Sequence, residues 1–190
     1  MNQPPYTALD AWIDQHFDEQ VAFLQQLVRV PTDTPPGDNA PHAEKTAELL
    51  QAFGYTAERH AVPAAEVQAY GMQSITNLIV RRRHGDGPCI ALNAHGDVVP
   101  PGDGCTVPPY GGLVRDGRLY GRAAAVSKSD FATYAFAVRA LADEAKLRGH
   151  GRITAIWEPG EAGPDGFFRS VGFVVAHQTQ YGENFGVLEL

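Results

Sequence analysis

Cysteine is scarce in this sequence, which contains only Cys89 and Cys105 among its 190 residues. Because neither belongs to a C-x-x-C pair, we expect no disulfide framework, and a reducing cytoplasm suits the chain best. An excess of basic charge is also absent, since the formal net charge is -7 at pH 7. This balance argues against a nucleic-acid-binding protein, which needs a basic face to displace counterions from phosphates.

Long apolar runs are missing as well. No stretch approaches the roughly eighteen consecutive apolar residues of a membrane-spanning helix, so we expect no membrane partner. The first ten residues have neither an apolar core nor a basic flank, so we expect no signal peptide. What is present, 44% hydrophobic and 19% charged residues, is typical of a globular protein with a core. The length favours a single domain spanning residues 1–190.

The hydrophobic pattern alternates between helical and strand periods along the chain. Apolar residues at helical spacing predict helices over Thr7–Arg29, from about Ala40 to Phe53, and from Ser129 to Leu147. Strands are predicted at YTAERHAV, ITNLIVRR, CIALNA and RITAIW, with ITNLIVRR and CIALNA on either side of a glycine-rich hairpin turn. A further hairpin is predicted around Asp116-Gly117. Strands that alternate with helices favour an α/β fold with a mostly parallel sheet flanked by helices.

The segment LNAHGDVVP places a histidine and an aspartate where a strand stops. CIALNA predicts a short buried strand, and Gly96 ends it. Residues two apart in an extended segment point the same way, so His95 and Asp97 leave the strand together. In open α/β sheets ligands bind at the ends of the strands. A neutral imidazole there can bind a metal, and a neighbouring carboxylate can fix its tautomer.

Four segments carry a resemblance to a known family. They are the loop after the first helix, LNAHGDVVPPGDG, DGRLYGRAAAVSKSD and the acidic turn WEPGEAGP. The chain resembles the zinc-dependent family of glutamate carboxypeptidase, aminoacylase, and the acetylornithine and succinyl-diaminopimelate deacylases. The resemblance implies the N-terminal portion of a catalytic domain, a three-layer α/β sandwich that is incomplete here and lacks the family's lid domain. It also implies two zinc ions, for which cobalt can substitute, and a metal-activated water that hydrolyses an amide bond.

By this resemblance His95 is a metal ligand and Asp97 is the aspartate that orients it. The physical roles agree, because a carboxylate behind a ligating imidazole fixes the orientation of the ring. The alternative is that His95 caps a strand and Asp97 begins a turn. Lys128 and Arg122 also match family positions, and we assign neither of them a catalytic role.

The family's next metal ligand is replaced. Where its members carry an aspartate that bridges both metals, this sequence has Val126, which cannot ligate an ion. Asp130 would share a face with Val126 if a helix already began there, but it would lie about one turn, roughly 5.4 Å, further along. That displacement exceeds the roughly 3.5–4 Å between the ions of a two-metal pair, so Asp130 is a candidate metal ligand only if the backbone shifts. Capping of the helix by Ser129 or Asp130 is the alternative.

The acidic turn and the last residues supply the remaining candidates. The family has two adjacent glutamates, a general base and a metal ligand, whereas here Glu158 and Glu161 are separated by Pro159-Gly160. If the alignment with the family pattern contains a one-residue gap, Glu158 occupies one position of that pair. Without the gap, Ile156 and Trp157 occupy both positions. We predict Glu158 as the base and Glu161 as a ligand, with two exposed loop glutamates as the alternative. Glu189, after the apolar run FGVL, is a further predicted ligand.

The other histidines show no ligand spacing, and we expect surface or loop roles for His16, His42, His60, His84, His150 and His177.

Two hypotheses follow. The first is a metal-dependent hydrolase that cleaves amide bonds of small peptides or N-acyl amino acids. The second is a non-catalytic remnant or partner subunit of the same fold with at most one weakly bound metal, favoured by Val126, the split glutamates and the short length. A small-metabolite binding module is a third alternative. A homodimer or a complementing subunit would be the protein partner, and the short length suggests a truncated or degenerate family member.

Overall fold

Two helices precede the first loop. The computed structural model describes residues 6–83, 89–144, 152–158, 173–178 and 184–188. It begins with α1 (Tyr6–Gln15) and α2 (Phe17–Val28), where the sequence predicted one continuous helix. The helix breaks at His16, whose ring nitrogen Nδ1 donates to the carbonyl of Trp12 at 2.7 Å and whose ring stacks on the indole at 3.8 Å. A side chain that bonds the preceding turn competes with helix continuation.

The second predicted helix is confirmed. Helix α3 (Ala40–Ala52) ends just before Gly54, which has a φ of 76° and takes the left-handed conformation that follows many helices. Strand β1 (Ala57–Ala61) is followed by a short helix, α4 (Ala64–Ala69), where the sequence predicted a loop. The remaining elements are β2 (Thr76–Arg83), β3 (Cys89–His95), β4 (Leu113–Arg115), β5 (Arg118–Tyr120), α5 (Lys128–Glu144), β6 (Arg152–Glu158), β7 (Phe173–Gln178) and β8 (Asn184–Leu188).

The main sheet has the strand order β1-β2-β6-β3. Strand β2 pairs antiparallel with both β1 and β6, and only β3 pairs parallel with β6. In the described part of the chain the sheet is thus mixed, and the expected mostly parallel sheet is not seen. The predicted hairpin of β2 with β3 is wrong, because β6 lies between them. The hairpin of β4 with β5 around Asp116-Gly117 is confirmed, with both turn residues at positive φ.

The core lies between the sheet and the helices. Helix α3 packs on β1 and β2, helix α5 packs on β3, and both helices contact α2. One cluster of buried residues runs through all of these elements and includes Leu27, Leu50, Leu78, Phe131 and Phe136. The α/β class is therefore as expected, while the second helical layer of a three-layer sandwich stays a prediction.

The contacts divide the chain at Gly160 into two compact units. The first unit, residues 1–160, holds the main sheet and all described helices. The second unit, residues 161–190, contains the antiparallel pair of β7 and β8, with a register irregularity between Val175 and His177. Among the described residues, no helix is both long and apolar enough to cross a membrane.

Candidate functional site

Strands β3 and β6 end side by side. In their parallel register His95 is the partner of Glu158, and each is the last residue of its strand. Neighbouring strands in a sheet are roughly 4.8 Å apart, so the backbones of these two predicted site residues are adjacent. The register thus brings His95 and Glu158 to the same end of the sheet, at the carboxyl ends of two parallel strands, where open α/β folds bind their ligands.

The predicted pairing of His95 with Asp97 is present. Nδ1 of the imidazole donates to Oδ1 of Asp97 at 2.9 Å. The histidine side chain is 48% exposed, while that of the aspartate is only 14% exposed. With Nδ1 as the donor, the tautomer places the ring's lone pair on Nε2, which is the nitrogen that a metal would bind. The pair therefore has the geometry of a ligand and the carboxylate that orients it.

The loop after α2 holds the segment that follows β3. The buried hydroxyl of Thr32 donates to the carbonyl of Gly96 at 2.7 Å. Backbone hydrogen bonds run from the N–H of Val98 to the carbonyl of Thr32 at 3.0 Å and from the N–H of Thr34 to the carbonyl of Val98 at 2.8 Å. These three bonds fix the backbone on both sides of Asp97. Sequence reasoning placed this loop in the family pattern but assigned Thr32 no role.

A tyrosine and an aspartate meet beside this loop. The hydroxyl of Tyr110 donates to Oδ1 of Asp33, whose backbone forms an isolated parallel bridge with Val98. Burial raises the pKa of Tyr110, and the hydrogen bond to Asp33 raises it further. The phenol therefore stays protonated over the physiological range and acts as a donor that ties the long proline-rich loop to the site.

The segment before α5 determines where Val126 and Asp130 lie. Ser127 has a φ of 61°, and its hydroxyl accepts a hydrogen bond from the backbone N–H of His95 at 2.9 Å. The helix begins only at Lys128, so Val126 lies before it. The condition under which Asp130 would share a helical face with Val126 is therefore not met. Asp130 lies in the first helical turn, where its negative charge interacts favourably with the helix dipole.

Val126 itself lies beside the histidine segment and is 63% exposed. Its neighbour Ser127 is bonded to the backbone of His95, so the valine is at the edge where the family's aspartate is expected. A hydrocarbon side chain there offers no ligand atom. The side chain at this position therefore cannot act as the ligand that bridges two metal ions.

Lys128 is a buried cation beneath the site. Its side chain is inaccessible to solvent, and Nζ donates to the carbonyls of Val30 at 2.7 Å and Leu27 at 3.3 Å. Burial lowers the pKa of Lys128 to about 8, an effect opposed by the charges of Asp33 and Asp97. The ammonium thus ties the end of α2 to the start of α5 and contributes positive charge near Asp97.

The prediction of a surface or loop role for His42 is wrong. Its side chain is completely buried in α3, where its ring lies against Gly96. A signal was available, because His42 falls at helical spacing with Thr46 and Leu50, and both of those are buried. His60, by contrast, is exposed and pairs with Glu58 on the surface, as predicted. His84 and His150 lie outside the described residues.

The structure brings together only part of the predicted site. His95 and Asp97 are bonded, Glu158 is adjacent to His95 in backbone register, and Asp130 lies in the first turn of α5. Glu161 and Glu189 lie outside the described residues, and their roles stay predictions. Within the described ranges no group of three or more histidine, cysteine, aspartate or glutamate side chains could hold a metal ion.

A cavity of about 460 Å³ lies elsewhere. It is lined by Glu19, Ala52, Phe53, Tyr55, Arg82, Arg139 and Ala142, none of which was predicted as a site residue. Arg82 pairs with Ile153, whose partner on β3 is Ile90, five residues before His95. At about 3.3 Å per residue, the five-residue step from Ile90 to His95 corresponds to roughly 16 Å along the strand between the cavity and the site.

A comparison with protein families gives the decisive observation. The sequence profile described as peptidase family M20/M25/M40 matches residues 91–186, which begin inside β3 and contain every predicted site residue but Glu189. This chain belongs to peptidase family M20/M25/M40. The match confirms the resemblance inferred from the four sequence segments.

Two bacterial relatives of this M20 chain bear the name succinyl-diaminopimelate desuccinylase. The relative from Rhodospirillum centenum is 37% identical over 123 residues, which cover 63% of this chain and 30% of the relative. The relative from Methylobacterium nodulans is 34% identical over 146 residues, which cover 76% of this chain and 35% of the relative. The M20 chain thus spans about a third of the length of the curated relatives it matches.

Solved structures of similar fold include two dipeptidases. Human carnosine dipeptidase 1 superposes with a TM-score of 0.63 at 21% identity, covering 90% of the M20 chain and 38% of the dipeptidase. The di-peptidase Dug1p from Saccharomyces cerevisiae superposes with a TM-score of 0.65 at 13% identity, covering 88% and 38%. At these identities the likeness establishes the fold alone.

Proposed function

We propose that this M20 chain belongs to a metal-dependent hydrolase that cleaves amide bonds of small peptides or N-acyl amino acids. The observation that carries the proposal is the hydrogen bond between His95 and Asp97 at the end of β3. It orients an imidazole for metal binding at the sheet edge where Glu158 also lies. Family membership supports the reaction class.

The proposed metal is zinc, with cobalt as a substitute, and the residues fit it in part. His95 would bind through Nε2, with Asp97 holding the ring, and the ligands proposed to complete the site are Asp130, Glu161 and Glu189. Val126 does not fit, so we propose no bridging group at that position. When bound, zinc supplies Lewis acidity toward a carbonyl oxygen and lowers the pKa of a water.

The proposed role of Glu158 is that of general base. Its carboxylate would take a proton from the attacking water and return it to the departing amine nitrogen. The support is its place at the end of β6, beside the backbone of His95. A base must lie within hydrogen-bond reach of the water whose proton it takes, so a glutamate adjacent to the metal ligand suits the task.

The names of the relatives suggest the substrates to test first. Two relatives are desuccinylases and two structural neighbours are dipeptidases, so N-succinyl amino acids and dipeptides form the first panel. Both classes contain an amide bond close to a carboxylate. A homodimer or a complementing subunit stays the proposed protein partner.

The test is hydrolysis of this panel by the purified chain loaded with zinc or cobalt. We expect release of free amine from at least one substrate, and loss of that activity in His95→Ala. His60→Ala is the matched control, because His60 is an exposed histidine on β1 that pairs with Glu58. A wild-type rate no higher than that of His95→Ala for every substrate would overturn the proposal.

Elemental analysis of the same preparations tests the second hypothesis, a non-catalytic remnant or partner subunit. Two tightly bound ions per chain would refute that alternative. No bound ion, together with no hydrolysis, would support it against the hydrolase.

A further inference from the structure

His42 is a buried histidine with no assigned role. Its side chain has no solvent exposure, and neither ring nitrogen has a hydrogen-bond partner within the described part of the chain. Burial lowers the pKa of His42, and the charge of Lys128 lowers it further. The ring is therefore a neutral, flat body inside the core. Since an imidazole without hydrogen bonds is costly to bury, its position calls for a reason.

The ring is pressed against the residue that separates the metal ligand from its orienting carboxylate. A Cβ atom placed on Gly96 would lie 2.6 Å from Nδ1 and 2.7 Å from Cε1 of His42. No side chain fits in that space, so the imidazole is in contact with the glycine backbone itself. On another side the ring meets Phe131 edge to face, with centroids 5.5 Å apart at 84°. His42 thus fills the space between α5 and the segment that joins His95 to Asp97.

The opposite restraint on this segment comes from the loop after α2. The Thr32 hydroxyl donates to the Gly96 carbonyl at 2.7 Å, and the backbone bonds of Val98 continue the attachment. The hydroxyl draws Gly96 toward the loop, and the imidazole limits how far the glycine can move toward α3. A shift at Gly96 moves both of its neighbours, because each is one peptide bond away.

We propose that His42 is a positioning residue: its ring supports the backbone at Gly96 and thereby holds His95 and Asp97 in hydrogen-bonding geometry. Sites of this kind need their side chains held to within about 0.5 Å, which a close-packed ring can do and a water-filled gap cannot. The link to metal binding rests on the function proposed above. The geometric claim does not, because it concerns the hydrogen bond between His95 and Asp97.

The primary readout is the Nδ1–H proton of His95 in NMR spectra of the metal-free chain. A proton that is hydrogen-bonded to a carboxylate gives a downfield signal, and His95→Gln identifies that signal by removing it. We expect His42→Ala to abolish or shift the signal, because Gly96 loses its support. We expect His42→Phe to retain it, because the flat ring remains. Loss of the signal in His42→Phe would overturn the proposal, even if the alanine variant does not fold.

A double-mutant cycle tests whether His42 acts through Gly96. Gly96→Ala alone is expected to displace the segment, since its methyl group collides with the imidazole. In the double variant His42→Ala/Gly96→Ala that methyl group enters space vacated by the ring, so the His95 signal should recover in part. Residues in contact show such non-additivity, whereas independent sites add. Purely additive effects on the signal would contradict the proposal.

Leu50→Ala separates positioning from general loss of stability. Leu50 is fully buried in the same helix, and its truncation leaves a cavity in the core cluster. We expect Leu50→Ala to lower the denaturant midpoint and to leave the His95 signal in place. An equal change of the signal in Leu50→Ala and His42→Ala would show that the signal reports only stability.

Zinc affinity, measured by calorimetry, connects the geometry to function. Changes in the groups that orient a ligating histidine weaken metal binding by about 10- to 100-fold, and we expect this range for His42→Ala. If the wild-type chain binds no zinc and hydrolyses nothing, the proposed function fails while the NMR result still decides the positioning role. If zinc binds equally well to the wild-type chain and to His42→Ala, the positioning role alone fails.

Discussion

Lys128 shows how a single buried charge couples stability to pH. Burial places its pKa at about 8, below the ordinary value of 10.5. Between these pH values the unfolded chain therefore binds a proton that the folded chain has released, so stability rises with pH across this window. Below about pH 8 both states are protonated, and the slope vanishes.

We predict that Lys128→Met removes this pH dependence. The stability of the wild-type chain relative to Lys128→Met should increase by about 3 kcal/mol as the pH rises through the window from about 8 to 10.5. Urea unfolding at several pH values measures it. Lys45→Met is the control, because Lys45 lies on the surface of α3 in a pair with Glu48. If the difference in free energy of unfolding between wild type and Lys128→Met is the same at every pH in this window, burial does not lower the pKa of Lys128.

Val126 is the second test at the scale of one residue. Its exposed side chain lies next to Ser127, which is bonded to His95, so a carboxylate there would enter the site. We expect Val126→Asp to raise zinc affinity about tenfold, or about 1.4 kcal/mol, by calorimetry. Val114→Asp adds the same charge to an exposed strand of the β4–β5 hairpin and should have no such effect. Equal affinities in the two variants would show that charge alone matters.

At the scale of the element, the end of α3 depends on the conformation of one glycine. Gly54 has a φ of 76°, and no other atom lies near the position of a Cβ. Gly54→Ala should therefore cost about 1 kcal/mol through backbone strain alone. Gly102→Ala is the matched control, since it too has open space but no positive φ. Similar denaturant midpoints for the two variants would refute the assignment of a left-handed cap.

Local chemistry explains which elements could be predicted. Helix α3, helix α5 and the hairpin at Asp116-Gly117 follow from hydrophobic spacing, a glycine cap and turn residues, all of which are short-range signals. The position of β6 between β2 and β3 is set by pairing across many residues, and the sequence gives no local sign of it. The same holds for the site. The bond of His95 to Asp97 is local, whereas the contact of His42 with Gly96 joins residues far apart in the chain.

At the scale of the whole molecule, the core that the described residues form lies in the first unit. Its buried cluster runs from Trp12 to Ala140, and β6, the last described strand of its sheet along the chain, ends before Gly160. A chain of this length can bury enough apolar surface to fold cooperatively. We therefore predict that a variant ending at Gly160 folds.

That variant should unfold in one cooperative transition, followed by circular dichroism, with a Tm within about 3 °C of the full chain, a difference of roughly 1 kcal/mol or less. A shorter variant that ends at Tyr120 loses α5 and β6, and with them much of the buried cluster, so it should show no cooperative transition. If the variant ending at Gly160 also fails to fold, residues 161–190 contribute to a single cooperative domain, as the length of the chain suggested. A folded variant ending at Gly160 would also allow zinc binding by His95 to be measured without Glu161 and Glu189, and so assign their contribution directly.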